Sequence, residues 1–585
     1  MIGPSLRKGV ALSPGIGRGA AWVVGRPAAA PGESREPHDA EREIERFRAA
    51  RARSESSLLR LREELSGPLA VAAEGILGAQ QLMLRDPTFI TLVERRIREQ
   101  SLSAEGASLA VAEELAAAIG AVADPYLRER SGDVRDIGQR ILAELGGREL
   151  EREIPFDSIV VVRELEPSFV ASLRPERVRG VVTELGARAS HASILLRSAG
   201  IPAVGAIPEA LGTIEPGCPL LVDGIAGLVF VAPSPAIELE YDRLESELRG
   251  HDALLEGETG LPVVTRDGAA VHLAANIGKT ADAEAALRWG AQSVGLFRTE
   301  FAFGIRDGFP SEDDQTSILS GVAERLHPRP ITFRLLDLGA DKTLPYFPLP
   351  MTANPALGLR GTRLLLAHQD VLRTQLRAIL RVSADRQASV LLPMVGGVEE
   401  VRAVRAAIAE ESSRLRAAGT RVPERLAVGA MIEIPSAVLV ADELARETEF
   451  LSLGSNDLAQ YLLAADRDDP AMSPYYRMLH PALLRAIRAV VRAAGRASKE
   501  LTLCGEAAGD PDLTELFLGL GLRRFSVAPR QLGELRHQIR RCDAGRARSI
   551  ARRLLGCATR DEAREVLDRR RARSLRDVDR PRNVG

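Results

Sequence analysis

Lysine is almost absent from this 585-residue chain, where Lys8, Lys279, Lys342 and Lys499 are the whole set. Nearly all positive charge is therefore arginine, so a lone Arg says little and only an Arg inside a constellation counts. Cysteine is just as scarce: Cys218, Cys504, Cys542 and Cys557 form no CxxC pair. That spacing excludes a disulfide framework and a zinc finger and suits a reducing compartment. No apolar run approaches the ~20 residues needed to cross a bilayer. Pro14, Gly15 and Gly17 interrupt the apolar start, so no signal peptide is expected. The expected location is cytoplasmic. There is no excess of either charge, since 78 basic and 80 acidic residues give a net charge of -2, and no nucleic-acid partner is expected. The segment after Gln531 holds about twice as many basic as acidic residues, which reads as a solvated helical end.

What is present is ordinary for a globular protein, with 45% hydrophobic and 27% charged residues. The length calls for two or three domains. KGVALSPGIGRGAAWVV reads as strand, Gly/Pro turn, strand. Its GxGxG at Gly15, Gly17 and Gly19 is a weak nucleotide-loop signal, because no helix follows. Residues 38–146 carry helical spacing, broken at Gly67-Pro68 and Asp86-Pro87. From Ile154 to Val231, β-branched runs alternate with helical stretches, as in a compact α/β unit. A charged helical connector follows over 237–256.

The remainder has a regular rhythm. Strand-like runs occur at Val271–Ile277, Ser293–Phe297, Ile331–Asp337, Val390–Val395, Ala427–Ile434, Phe450–Gly454, Leu501–Gly505 and Arg524–Ala528. Helical stretches fill most gaps, which predicts a (β/α)8 TIM barrel over 257–585. Functional groups of such barrels gather at the C-terminal ends of the strands. Arg298 follows the second strand and Arg334 lies in the third, with Asp337 and Lys342 beyond it. Glu433 ends the fifth, Asn456 and Asp457 follow the sixth, Arg467 comes shortly after, and Cys504 ends the seventh. Each residue alone has a structural explanation. Together they form an inventory: two carboxylates that suit Mg2+, and three arginines whose forked guanidinium binds phosphate and carboxylate. The rim is built for a small, doubly anionic phosphate ester held against a metal.

A second centre lies in TELGARASHASILL, where Ser190-His191 precedes an apolar helix. The helix dipole lowers the pKa of a histidine at this position and leaves a ring nitrogen free to attack. A structural histidine satisfied at the helix N-terminus fits the local sequence equally well.

These segments, read together, resemble Enzyme I of the bacterial phosphoenolpyruvate:sugar phosphotransferase system. The resemblance covers SPGIGRG, DPYLRERSGDVRDIGQRIL, the His191 segment, SLGSNDLAQYLLAADR and LCGEAAGD, in one order along almost the whole chain. It implies a multidomain α/β protein: a swivelling phosphohistidine domain (1–37 and 147–236) with an inserted helical domain (38–146) that docks an HPr-type carrier. A linker helix (237–256) and the barrel (257–585) follow, the barrel binding phosphoenolpyruvate and forming a homodimer. By resemblance, His191 is the phosphohistidine. Arg298, Arg334, Asn456 and Arg467 bind phosphoenolpyruvate, Arg360 and Lys342 support them, Glu433 and Asp457 hold Mg2+, and Cys504 protonates C3 of the enolate. A thiol can do so if its pKa lies near working pH.

The sequence departs from the family pattern at Ala187 and Ala189, which replace a Gly and a Thr beside the histidine, and at Ser455 in place of Thr. The tail after Val566 has no family counterpart. Pyruvate phosphate dikinase and phosphoenolpyruvate synthase pair similar histidine and barrel domains. They also need a nucleotide-grasp domain, for which residues 38–146 are too short. A regulatory paralogue without turnover is the alternative from another class, and the full set of reactive residues argues against it.

Overall fold

The computed structural model describes residues 5–24, 39–64, 77–120 without 79, 125–146, 154–186, 191–300, 303, 308–339, 344, 346–347, 349–350, 354–472 without 468, and 474–578. The chain divides into two compact units, Met1–Arg249 and Gly250–Gly585.

The first unit is built on one sheet. Its strands are β1 (Ser5–Lys8), β2 (Val10–Ser13), β3 (Ile16–Val23), β4 (Ser158–Val162), β5 (Val178–Thr183), β6 (Ala203–Gly205), β7 (Pro219–Asp223) and β8 (Leu228–Val231). Their order across the sheet is β1-β8-β7-β3-β4-β5-β6-β2. β3, β4, β5 and β6 run parallel, and β4 (SIVVV) is buried at every residue, as expected of a strand covered on both faces. The GxGxG stretch is no nucleotide loop. Gly15, at φ 127°, turns the chain between β2 and β3, while Gly17 and Gly19 lie inside β3. A Cβ on Gly17 would run into the Arg179 carbonyl oxygen, and one on Gly19 into that of Asp157. The missing side chains let neighbouring backbone approach.

Between β3 and β4 the chain leaves the sheet to form helices Ala40–Glu64, Pro87–Gln100, Ala104–Gly120 and Pro125–Leu145. Asp86 starts the second of these, its Oδ1 accepting from the Thr88 N–H at 2.7 Å, and Phe89, Val93 and Ile97 bury one face of it. One buried carboxylate ties these helices to the sheet region. Asp136 accepts from Gln80 Nε2 at 2.7 Å, and from the Ser168 N–H at 3.0 Å and hydroxyl at 2.7 Å. The connector is a single helix, Pro235–Gly257.

The second unit is the closed parallel barrel. Its strands are β9 (His272–Ile277), β10 (Ser293–Arg298), β11 (Ile331–Arg334), β12 (Ala388–Leu392), β13 (Ala427–Ile432), β14 (Phe450–Gly454), β15 (Glu500–Cys504) and β16 (Arg524–Val527), with β16 pairing back on β9. Every strand coincides with a run expected from sequence, and the differences lie at the ends. β12 stops at Leu392 because Pro393 has no N–H to donate and Met394 takes φ 54°. β11 stops at Arg334, since the backbone beyond Leu335 turns to side chains for its bonds. Leu296, Leu391, Met431 and Cys504 fill one cluster inside the barrel, and the outer helices bury a larger apolar layer around it. Among the described residues no helix is long and apolar enough to cross a membrane.

The glycines yield a paired prediction. Gly17→Ala should destabilise the first unit by about 2 kcal/mol through the clash with Arg179. Gly250→Ala should stabilise the connector helix by about 0.5–1 kcal/mol, because its Cβ would meet nothing within 4 Å. Calorimetric unfolding of the two variants should move in opposite directions.

Candidate active site

The C-terminal ends of the barrel strands bring the expected residues together. Arg298 and Arg334 end β10 and β11 and stand in register. Arg298 is exposed, whereas Arg334 is buried between Glu300 (Nη2 to Oε1, 2.7 Å) and Asp337 (Nη1 to Oδ2, 3.3 Å). Burial works against its charge, but Glu300, Asp337 and Glu433 outweigh that and hold the guanidinium above its ordinary range. Asp337 also lies 3.7 Å from Arg360 Nη2, and Arg360 Nη1 donates to the Tyr461 hydroxyl at 3.0 Å. The result is a buried row of alternating charge: Glu300, Arg334, Asp337, Arg360.

Two further carboxylates stand near this row. Glu433 follows β13 and is fully buried. Its Oε1 accepts from the Met394 N–H at 2.7 Å, and its Oε2 is buried without a hydrogen bond among the described residues. Burial, then Asp457 and Asp337, push its pKa up to about 8 against the pull of Arg334. Gly454 makes this approach possible, since a Cβ there would sit 2.6 Å from Glu433 Oε2. Asp457 lies in the first turn of helix Ser455–Leu463. Its Oδ1 is also buried without a hydrogen bond among the described residues and lies 3.5 Å from Arg467 Nη1. Asn456 Oδ1 accepts from the Glu506 N–H at 3.0 Å, joining the ends of β14 and β15.

Cys504 is the last residue of β15. Its Sγ is fully buried, 2.7 Å from Ser452 Oγ. Burial pushes the thiol up to about 11. Ser452 pulls it down, Glu433 raises it, and Arg334 and Arg298 lower it, so all of these groups act on one space. The sequence set a pKa near working pH as the condition for a thiol acid; removal from water places this one well above it. Ser455 keeps the hydroxyl expected of it, donating to the Cys504 carbonyl at 3.0 Å. Gly505 beside it adopts φ 101°, where a Cβ would strike Ser455 Oγ.

Lys342, Ala187 and Ala189 lie outside the described residues. His191 belongs to the first unit, where it is the first residue of helix His191–Ala199. Sequence reasoning overlooked Glu300 and Ser452. Glu300 lies two residues beyond Arg298 in the same loop. Ser452 had a faint signal, a hydroxyl in the middle of the otherwise apolar strand FLSLG.

Three family models match in succession along this scaffold. They are the N-terminal part of PEP-utilising enzymes over residues 8–130, their mobile domain over 154–227 and their PEP-binding domain over 253–544. The phosphoenolpyruvate-protein phosphotransferase of Bacillus subtilis (strain 168) is 37% identical over 557 residues, covering 95% of this chain and 98% of its own. The chain belongs to the phosphoenolpyruvate-protein phosphotransferase family. The corresponding protein of Listeria innocua is 35% identical over 564 residues, covering 96% of this chain and 98% of its own. In this phosphotransferase chain the mobile-domain match contains His191, and the PEP-binding match contains every rim residue from Arg298 to Cys504.

The raised pKa of Glu433 sets the sign of a pH effect. The unfolded chain loses this proton near the ordinary carboxyl value of 4.5, while the folded protein keeps it to about 8. Between those values the unfolded state binds fewer protons, so stability falls as pH rises. Thermal melts in chelator should show the barrel losing stability from pH 5 to 8. Glu433→Gln should flatten that slope.

Proposed function

We propose that the protein takes the phosphoryl group of phosphoenolpyruvate onto His191, releases pyruvate, and passes the phosphoryl group to an HPr-type histidine phosphocarrier. The observation that supports the residue roles is the cluster itself: the charged row Glu300, Arg334, Asp337 and Arg360, with Glu433 and Asp457 nearby, each with a buried oxygen that lacks a hydrogen bond among the described residues.

In this reading Arg298, Arg334, Asn456 and Arg467 bind the phosphate and carboxylate of phosphoenolpyruvate, with Arg360 and Lys342 behind them. Glu433 Oε2 and Asp457 Oδ1 are hard donors that fit a small divalent cation, and two carboxylates suit Mg2+, which retains water and substrate oxygens as its other ligands. When bound, the ion neutralises charge on the phosphoryl oxygens. A nitrogen of His191 attacks phosphorus, the bond to the enolate oxygen breaks, and the enolate carries the negative charge away. C3 then takes the Cys504 proton, which gives pyruvate and a thiolate. A pKa of about 11 keeps that proton in place until the enolate appears. Ser452, 2.7 Å away, can donate to the thiolate that remains.

The domain division follows the same reading. Residues 1–37 and 147–236 form the phosphohistidine domain, 38–146 the carrier-docking helices, 237–256 the linker and 257–585 the barrel, through which two copies pair in the cytoplasm.

Two substitutions test the reading. His191→Ala should abolish acid-labile, base-stable labelling from phosphoenolpyruvate while the barrel still binds the substrate. A labelled phosphohistidine elsewhere in that variant would refute the acceptor. Cys504→Ser replaces the thiol with a far weaker acid. Pyruvate release should fall by about 100-fold or more while substrate binding persists. Near-normal turnover would make Cys504 a packing residue.

A further inference from the structure

At the end of β11, side chains rather than strand partners meet three backbone groups: the Arg334 carbonyl and the N–H groups of Leu336 and Asp337. The last ladder bond of this segment runs from the Leu335 N–H to the Leu391 carbonyl at 3.0 Å. Around and beyond it, side chains take over. The Arg334 carbonyl accepts from the Thr299 hydroxyl at 2.9 Å, the Leu336 N–H donates to Gln375 Oε1 at 3.0 Å, and the Asp337 N–H donates to Glu300 Oε1 at 2.9 Å. Gln375 Nε2 in turn donates to Thr299 Oγ1 at 3.1 Å.

The donors and acceptors admit one arrangement. The Thr299 hydroxyl has a single proton, spent on the Arg334 carbonyl, so its oxygen must accept from Gln375. That turns the amide nitrogen of Gln375 toward Thr299 and its oxygen toward the Leu336 N–H. The relay closes on itself around Arg334, Leu335 and Leu336. Gln375 and Thr299 are 1% and 2% exposed, so water cannot substitute for either. Gln375 sits on helix Gln369–Val382, whose Leu372, Leu376 and Ile379 are buried against the barrel, which makes the anchor rigid.

We propose that Gln375 is a positioning residue for phosphoenolpyruvate: through Thr299 and the Leu336 N–H it fixes the turn that carries Arg334 and Asp337. It does not touch the substrate. The proposal rests on Arg334 being a substrate ligand, as read above. Any apolar residue at 375 would leave the buried Leu336 N–H without an acceptor, and the turn would open to find one. Arg334 would then lose the geometry of its fork, where small displacements carry large kinetic penalties.

The experiment measures steady-state pyruvate release by the full chain with Mg2+ and saturating carrier. Gln375→Met and Thr299→Val should each raise KM for phosphoenolpyruvate about tenfold or more, with a smaller change in kcat. The double variant should be no worse than the poorer single one, because both break one relay. Thr299→Ser, which keeps the hydroxyl, should restore KM. A partly unfolded preparation lowers kcat without moving KM, so the split separates positioning from packing. If Gln375→Met does not accumulate in folded form, the Thr299→Val and Thr299→Ser pair decides by the same criterion. Arg334→Lys is the reference. If it raises KM while the relay variants leave KM unchanged, the relay is packing and the proposal is overturned alone. If Arg334→Lys itself leaves KM unchanged, the reading of Arg334 falls and the proposal falls with it.

Discussion

Keeping Arg334 charged while removing it from water is the constraint on which the barrel rim depends. A buried guanidinium without partners is destabilising by several kcal/mol. Glu300 and Asp337 offset that at 2.7 and 3.3 Å, but each is then a carboxylate drawn into the interior. Asp337 requires a second cation, which is Arg360 at 3.7 Å, and Arg360 spends another donor on Tyr461. One buried charge thus recruits a row. The field of that row reaches the other functional groups, since Arg334 pulls down both Glu433 and Cys504 while burial raises both.

The ion pair at Asp457 belongs with the longer pairs of the rim, those of Asp337 at 3.3 and 3.7 Å. Arg467 lies 3.5 Å from Oδ1, beyond the 2.7–3.2 Å of a good hydrogen bond, and that oxygen makes none. Glu433 Oε2 is likewise without one. Glu300 Oε2, at the end of the charged row, is also buried without a hydrogen bond among the described residues, so unmet carboxylate oxygen is spread along the rim rather than confined to one side of it.

How much of this was legible in the sequence depended on whether the information was local. β14 was readable to the residue, because FLSLG ends where the glycine admits Glu433 and a helix begins. β11 was read too long, because an apolar run cannot reveal that its backbone bonds pass to side chains. The eight-strand rhythm placed Arg298, Glu433, Asn456, Asp457 and Cys504 at strand ends, and topology then gathered them. Their partners were invisible for the opposite reason. Glu300 meets Arg334 across 34 residues, Gln375 meets Leu336 across 39, and Ser452 meets Cys504 across 52. No periodicity encodes such meetings. They arise when barrel closure sets neighbouring strand ends side by side.

The scarcity of lysine acquires a physical meaning at this rim. Lys279, in the same unit, is half-buried, and burial lowers its pKa even with Asp282 nearby. Arg334 is buried more deeply and moves the other way. The difference begins with chemistry: guanidinium starts about two units higher and spreads its charge over a plane, so it tolerates desolvation that would strip a proton from an ammonium. Its fork also reaches Glu300 through one nitrogen and Asp337 through another, a geometry that a single ammonium cannot span. A Lys at 334 could reach one of the two carboxylates but not both. Burial beside two carboxylates at the end of a barrel strand therefore selects arginine.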